Sequence, residues 1–411
     1  MKQIYVSAAA AKRQLAVAST MDKNDALMRI AQNLEKNAVK IISENSKDVI
    51  NARLAGLNEG LIDRLMLDEE RIKGMADGVR TVALLDDPVG KTLSGSKRPN
   101  GLEIHKVTVP LGVIGMIYEA RPNVTSDAAA LCLKSGNAVI LRGGKEAIHS
   151  NTAIAGIMRE ALKETSIPVD AIQLIEDTTH ASAQEMMKMN GYIDVLIPRG
   201  SARLIRSVVE NATVPIIETG TGNCHVYVDE FADLNMAADI VFNAKTTRIS
   251  VCNSCESLVV HEKIAAHALP MIQKKLQTKN VEIRGDETAC QILDGIVPAT
   301  EEDFGTEYLD YIISVKVVKS LEEAISHINR YSTGHSDSIV TASYENSRKF
   351  MQQVDSAAVY TNASTRFTDG GEFGEGAEIG ISTQKLHARG PMGLAQLTSV
   401  KYLIFGNGQT R

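Results

Sequence analysis

From residue 113 onward, short apolar runs of strand length alternate with stretches of helical character. This rhythm constrains the fold more than any other feature of the chain. Residues 113–118, 138–141, 172–174, 195–196 and 215–217 read as short buried strands, and 127–134, 148–162, 183–189 and 202–209 as the helices between them. Strands apolar on both faces and joined by helical crossovers imply a mostly parallel sheet with helices packed on both sides. The alternation resumes after residue 225, with strand candidates at 225–228, 257–260, 283, 312–318 and 338–340 and helices at 264–276 and 321–331. Two α/β blocks with a reactive-looking loop between them point to a two-domain enzyme with a cleft.

The first ~85 residues read as helical. Leu27, Ile30 and Leu34 repeat at helix spacing, Ser19, Thr20 and Asp22 offer caps upstream, and a second helix is expected from Asp68-Glu69-Glu70 to before Pro88. Asn100-Gly101 is a hairpin turn, and partial alternation over 102–109 makes a projecting two-stranded ribbon. Residues 368–380 are Gly-rich and acidic, an ordered loop or lid, and 399–405 is strand-like and suited to pairing with another subunit. Such sheet edges otherwise invite aggregation, so a homo-oligomer is expected.

Lys and Arg number 44 against 50 Asp and Glu, a net charge of −6 that offers no general footprint for nucleic acid. Lys12 and Arg13 interrupt the Ala-rich start before it forms a signal-peptide core, and the most apolar stretch, 107–118, is too short to span a bilayer. Five scattered cysteines give no disulfide framework. The expectation is a cytoplasmic protein with reduced thiols, no membrane or nucleic-acid partner and no metal.

Generic nucleotide motifs fail when checked. Residues 142–145 (RGGK) suggest a phosphate loop, but Val139 and Glu146 stand where that motif needs Gly and Ser or Thr. Gly374, Gly376 and Gly380 have the wrong spacing for a dinucleotide fingerprint. Cys252-Asn-Ser-Cys255 is compatible with a redox pair, half a zinc site, buried structural thiols or one nucleophile. No second CxxC or HxxxH exists to complete a zinc site, and spacing alone leaves nucleophile and buried thiols evenly matched.

Longer motifs are more specific. Residues 119–127 (EARPNVTSD), 134–144 (KSGNAVILRGG), 217–225 (IETGTGNCH), 251–253 (VCN), 317–337 and 377–393 (AEIGISTQKLHARGPMG) resemble gamma-glutamyl phosphate reductases, a branch of the aldehyde dehydrogenase superfamily. The resemblance runs in order over almost the whole chain. It implies an α/β, aldehyde-dehydrogenase-like fold: a dinucleotide-binding domain at 1–100 and 110–222, an α/β catalytic domain with the nucleophilic Cys at 223–385, and a small β oligomerisation ribbon and tail at 101–109 and 386–411. It also implies NADPH-dependent reduction of L-glutamyl 5-phosphate to L-glutamate 5-semialdehyde with release of phosphate, a step of proline biosynthesis. Association with glutamate 5-kinase, which makes the labile acyl phosphate, belongs to the same expectation.

In that chemistry a thiolate attacks the acyl phosphate, phosphate leaves, and the thioester is reduced. The resemblance assigns the thiol to Cys252 and the oxyanion donors to the Asn123 side-chain amide and the Cys252 backbone N–H. Cys255 falls where the family shows an apolar residue, and reads as a packed thiol. Glu218, which matches the water-activating glutamate of hydrolytic relatives, receives no firm role. For the cofactor, Arg142, Gly143, Gly144 and Lys145 are expected at the adenine ribose, the two cations suiting the 2′-phosphate of NADPH. Pro198, Arg199 and Gly200 are expected at the pyrophosphate before a helix, and Glu307 at the nicotinamide ribose. Arg121, Lys245 and Arg248 are expected as substrate cations from their closeness in sequence to Asn123 or Cys252, and Arg366, Lys385 and Arg389 from the C-terminal motif. The rival readings are an oxidative aldehyde dehydrogenase that makes free acid and a non-catalytic scaffold for the kinase.

Overall fold

The computed structural model describes residues 2–57 and 59–411. They divide into two compact units: the described residues up to Thr219 with Gly374–Gly380 and Met392–Arg411, and Gly220–Phe373 with Ile381–Pro391. The boundary thus falls after Thr219 rather than 222. Residues 374–380, expected in the Cys-bearing block, belong to the first unit, and 386–391, expected in the tail, to the second. Backbone pairing gives the reason. Ile379 and Gly380 exchange hydrogen bonds with Met392, whereas Ile381–Ser382 pairs with Gly390–Pro391 and the Ile381 carbonyl accepts from Gly220.

The first unit begins with α1 (Lys2–Leu15), α2 (Thr20–Lys36), α3 (Ala38–Leu54), α4 (Glu59–Leu65) and α5 (Glu69–Leu84). Ser19 starts α2 with a full capping box: its hydroxyl accepts from the Asp22 N–H at 3.1 Å, and the Asp22 carboxylate accepts from the Ser19 N–H at 3.2 Å. Leu27, Ile30 and Leu34 are buried along one face. Strands β1 (Thr92–Lys97) and β2 (Glu103–Pro110) flank the turn at Asn100-Gly101, where Gly101 has φ +90°. Next come β3 (Val113–Tyr118), α6 (Asn123–Lys134), β4 (Ala138–Gly143), α7 (Ile148–Leu162), β5 (Ile172–Leu174), α8 (His180–Met186), β6 (Val195–Arg199) and α9 (Ala202–Asn211). The parallel sheet has the order β5-β4-β3-β6, so its direction of growth reverses between β3 and β6. The strand expected at 215–217 reduces to one bridge, Ile216 beside Leu196.

The second unit contains β7 (Cys224–Val228), α10 (Leu234–Thr246), β8 (Cys255–His261), α11 (Glu262–Gln277), β9 (Glu282–Gly285), α12 (Glu287–Ile292), β10 (Val297–Pro298), β11 (Ile312–Val318), α13 (Leu321–Tyr331), β12 (Ser336–Val340), α14 (Tyr344–Gln353), β13 (Ala358–Thr361), β14 (Ile381–Ser382) and β15 (Gly390–Pro391). Its parallel sheet runs β10-β9-β11-β8-β7-β12-β13. Val226, Val228, Leu258, Val260, Ile313 and Val315 join residues of α10 and α11 in one apolar core. Residues 368–380 form no helix or strand, and the chain passes from the second unit to the first within them.

The tail strand β16 (Thr398–Phe405) is an edge strand of the first unit. It pairs antiparallel with β2 of its own chain over its whole length, making the three-stranded order β1-β2-β16. Asn137 fixes its root, donating to the Leu397 carbonyl at 2.8 Å while its side-chain oxygen accepts from the Gly112 N–H at 2.7 Å. Among the described residues, no helix is long and apolar enough to cross a membrane.

Candidate active site

In the first unit, the ends of β3 and β4 with the residues that follow them, and helices α8 and α9, line a cleft of about 730 Å³. Arg142, Gly144, Lys145, Glu119, Glu146, His180, Arg203 and Ser207 are among its lining residues. Arg142 is only 9% exposed. Its Nη2 donates to the carbonyls of Thr178 and Thr179 at 2.6 and 2.9 Å, and its Nε is buried without a partner. Burial lowers its pKa, against the pull of Glu146 and Asp177. The bidentate fork expected of Arg142 is therefore partly spent on backbone. Lys145 is exposed, and so is Arg203, which sequence reasoning missed because only the fold brings the start of α9 to this cleft.

The glycines here have measurable reasons. A Cβ on Gly143 would lie 2.1 Å from the Asn151 amide, and one on Gly200 would lie 2.6 Å from a Glu119 carboxylate oxygen. Pro198 is buried at the end of β6 and its carbonyl accepts from the Thr219 hydroxyl at 2.7 Å; Arg199 is half-buried. A cleft of this size, with three cations, a helix N-terminus and an orphaned buried guanidinium nitrogen, fits a dinucleotide.

Asn123 also lies in the first unit, exposed at the first position of α6. Its amide donates to Asp127 one turn on, at 2.9 Å. Burial pushes the Asp127 carboxyl up to about 6, opposed by the bonds from Asn123 and Ser126 and by Arg199. Arg121 is half-buried two residues before Asn123.

In the second unit, α10 ends, a loop follows, and β8 begins at Cys255, so the Cys252 loop lies at the N-terminal edge of the parallel sheet. The loop is clamped by backbone contacts. Asn253 donates to the carbonyls of Arg366 and Thr368 at 3.2 and 2.9 Å, and its own carbonyl accepts from the Thr365 hydroxyl at 2.8 Å. The Cys224 thiol donates to the Cys252 carbonyl at 3.1 Å, and a Cβ on Gly222 would lie 1.5 Å from that carbonyl oxygen. Gly222 in turn donates its N–H to Glu307 at 2.7 Å. Cys224, Gly222 and their contacts were not found from sequence, because strand pairing alone closes the gap of 28 residues between Cys224 and Cys252.

Cys252 is half-buried. Arg366, close to it, is held below its ordinary pKa first by burial and then by the like charge of Arg248, with Cys252 and Asp369 pulling the other way. Arg366 also keeps a buried Nε without a partner, and Arg248 is exposed. Arg366 thus feels both the Cys252 sulfur and the Arg248 charge. Cys255 is buried, and burial pushes its thiol up to about 12. That suits packing and not attack.

Lys245 corrects an expectation. It is 0% exposed and ion-paired with Glu256, also 0% exposed, at 2.6 Å, so its charge serves the protein interior and not a substrate. Burial pushes the Glu256 carboxyl up to about 7 despite the pull of Lys245. Lys385 and Arg389 both pair with Asp355. Glu218 is half-buried at the end of the first unit.

The chain matches the aldehyde dehydrogenase family over residues 1–292 and 297–402. It is 59% identical over 414 residues to a gamma-glutamyl phosphate reductase of Clostridium botulinum, with 100% of each chain covered. To one of Clostridium perfringens it is 61% identical over 397 residues, covering 97% of this chain and 96% of that protein. The chain belongs to the aldehyde dehydrogenase family, in its gamma-glutamyl phosphate reductase branch. Among solved structures, the gamma-glutamyl phosphate reductase of Thermotoga maritima matches with a TM-score of 0.97 at 50% identity, covering 100% of this chain and 99% of that one. As a member of this family, the chain is an oxidoreductase whose fold serves nicotinamide cofactors.

Proposed function

We propose that the chain catalyses the NADPH-dependent reduction of L-glutamyl 5-phosphate to L-glutamate 5-semialdehyde, releasing phosphate, in cytoplasmic proline biosynthesis. The observation that carries this reading is the Cys252 thiol, held on a clamped loop with Arg366 close to it. An acyl phosphate brings an anionic leaving group to the carbon under attack, and a guanidinium near the sulfur suits that charge.

Cys252 Sγ bonds to the acyl carbon as the bond from that carbon to the phosphate oxygen breaks, so phosphate departs with the electron pair and a thioester remains. The Asn123 amide and the Cys252 backbone N–H are the donors assigned to the transient oxyanion. Arg366, Arg248 and Arg121 receive the substrate's negative groups. Arg142, Gly143, Gly144, Lys145 and Arg203 would hold the adenosine end of NADPH, Pro198, Arg199 and Gly200 its pyrophosphate, and Glu307 its nicotinamide ribose. When bound, NADPH supplies the two electrons and the hydrogen that take the acyl group to the aldehyde level. Lys145 and Arg203, exposed and cationic, favour the 2′-phosphate form. Partners in this reading are a second copy of the chain and glutamate 5-kinase, whose unstable product is the substrate.

The test is the reverse assay, with glutamate semialdehyde, phosphate and NADP⁺ or NAD⁺. The expected result is phosphate-dependent cofactor reduction that prefers NADP⁺, abolished in Cys252→Ala and largely retained in Cys255→Ala. Reduction that needs no phosphate would instead identify an aldehyde dehydrogenase that makes free acid. No turnover under any condition would leave the scaffold reading standing.

A further inference from the structure

The order β5-β4-β3-β6 reverses between β3 and β6, which stay paired to their carboxyl ends at Tyr118 and Arg199. Open parallel sheets take their ligands at such a reversal. Glu119 follows β3 directly, and Gly200 and Ser201 follow β6. Ser201 is the N-cap of the ten-residue α9. The Glu119 carboxylate accepts from the Ser201 N–H at 2.8 Å and from the Ser201 hydroxyl at 3.2 Å, and a Cβ on Gly200 would lie 2.6 Å from it. The amide and hydroxyl at a helix N-terminus attract an anion, and here the protein supplies one of its own.

Two further observations show that this carboxylate stands in a ligand cleft. Glu119 lines the 730 Å³ cleft together with Arg142, whose nine-tenths-buried side chain keeps an unpartnered Nε. Ala120, the next residue, has φ +25°, a left-handed conformation that costs an alanine energy unless its surroundings impose it. They do so from both sides: Glu119 is tied to α9, and the Ala120 N–H donates to Glu146 at 3.0 Å. The strained turn leads within three residues to Asn123.

We propose that Glu119 is an anion built into the cofactor cleft, which occupies the donors a diphosphate needs and is displaced when the cofactor binds. The inference rests on the reading of the cleft as the NADPH site. A diphosphate and the Glu119 carboxylate cannot share the Ser201 donors, and their like charges repel at that range. Glu119 therefore weakens cofactor binding and hastens release. Its departure also removes one of the two anchors of the Ala120 turn, linking cofactor occupancy to the segment that carries Asn123.

The experiment is a titration of NADPH, followed by the fluorescence of its reduced ring, with the full-length protein and the Glu119→Gln variant. Gln keeps the shape and one acceptor but not the charge. The expected result is NADPH binding roughly three- to tenfold tighter in the variant. Inorganic pyrophosphate should compete better by a similar factor, while adenosine 2′-monophosphate, which lacks a diphosphate, should bind both proteins equally. Equal or weaker NADPH binding by folded Glu119→Gln overturns the proposal, as does an equal gain for adenosine 2′-monophosphate. Should that variant fail to fold, Glu119→Asp, too short to reach both Ser201 donors, decides by the same criterion. If the unsubstituted protein binds no NADPH at all, the cofactor reading falls and takes the inference with it.

Discussion

Asn123, the proposed oxyanion donor, shows how a neighbouring group sets what an amide can do. Its Nδ2 donates to Asp127, whose carboxyl burial pushes up to about 6. Above that pH the carboxylate accepts a charge-assisted bond and fixes the amide; below it the acid is neutral and the bond weakens. Turnover should therefore fall as pH drops through about 6, and Asp127→Asn should lose that limb while keeping a lower, flatter rate; an unchanged limb in the variant's pH–rate profile would separate Asp127 from Asn123. The stability effect has the opposite sense. A carboxyl raised from its ordinary 3.8 binds its proton more tightly in the folded chain, so its contribution to stability declines as pH rises from about 4 through 6. Asp127→Asn should accordingly be relatively more stable at pH 8 than at pH 5, which thermal melts at the two pH values would measure.

Among the elements, the loop between α10 and β8 is the one on which the proposed chemistry depends, and Gly222 is its tightest constraint. A methyl there would collide with the Cys252 carbonyl, which is backbone and cannot rotate away like a side chain. Gly222→Ala should cost at least a hundredfold in turnover and about 2 kcal/mol or more of stability, read from reverse-assay rates and denaturant melts; near-normal rates would mean the loop tolerates displacement. Helices and strands whose signals are local were legible in the sequence. The capped α2 and α5, the α7 and α13 helices and the β3 and β11 strands lie where hydrophobic spacing and caps put them. Residues 215–217 look like a strand but form only one bridge, because no neighbouring strand is in register beyond Ile216. The α10 and α14 helices went unread although Asp233 and Ser343 cap them. At the site, Cys252 and Asn123 are singled out by motifs. Gly222, Cys224, Glu119 and Arg203 are not, because their roles arise only when parallel pairing brings distant strand ends together. Lys245 was misread because its partner Glu256 is chosen by burial, which spacing does not encode.

At the scale of the whole molecule, the β1-β2-β16 ribbon is the feature that its own chain does not explain. Only Thr398 of β16 is buried, and Val400, Tyr402, Leu403, Ile404 and Phe405 are exposed along it. Strand alternation sets Val400, Tyr402 and Ile404 on one face and Leu403 and Phe405 on the other, so the strand offers apolar surface both ways. Its outer edge also presents unpaired backbone donors and acceptors. An eight-residue strand of this kind, on a chain with net charge −6, is better accounted for by a second copy of the chain than by solvent. Replacing Tyr402 and Ile404 together by Asp should leave β16 paired with β2, since both side chains are exposed, but place charge at the contact. Light scattering on the eluting protein should then give a smaller assembly than the parent, and the parent's melting temperature should rise with protein concentration while the variant's stays constant. Equal masses for the two proteins would show that this face meets only water, and the ribbon would then need another reason for its apolar side chains.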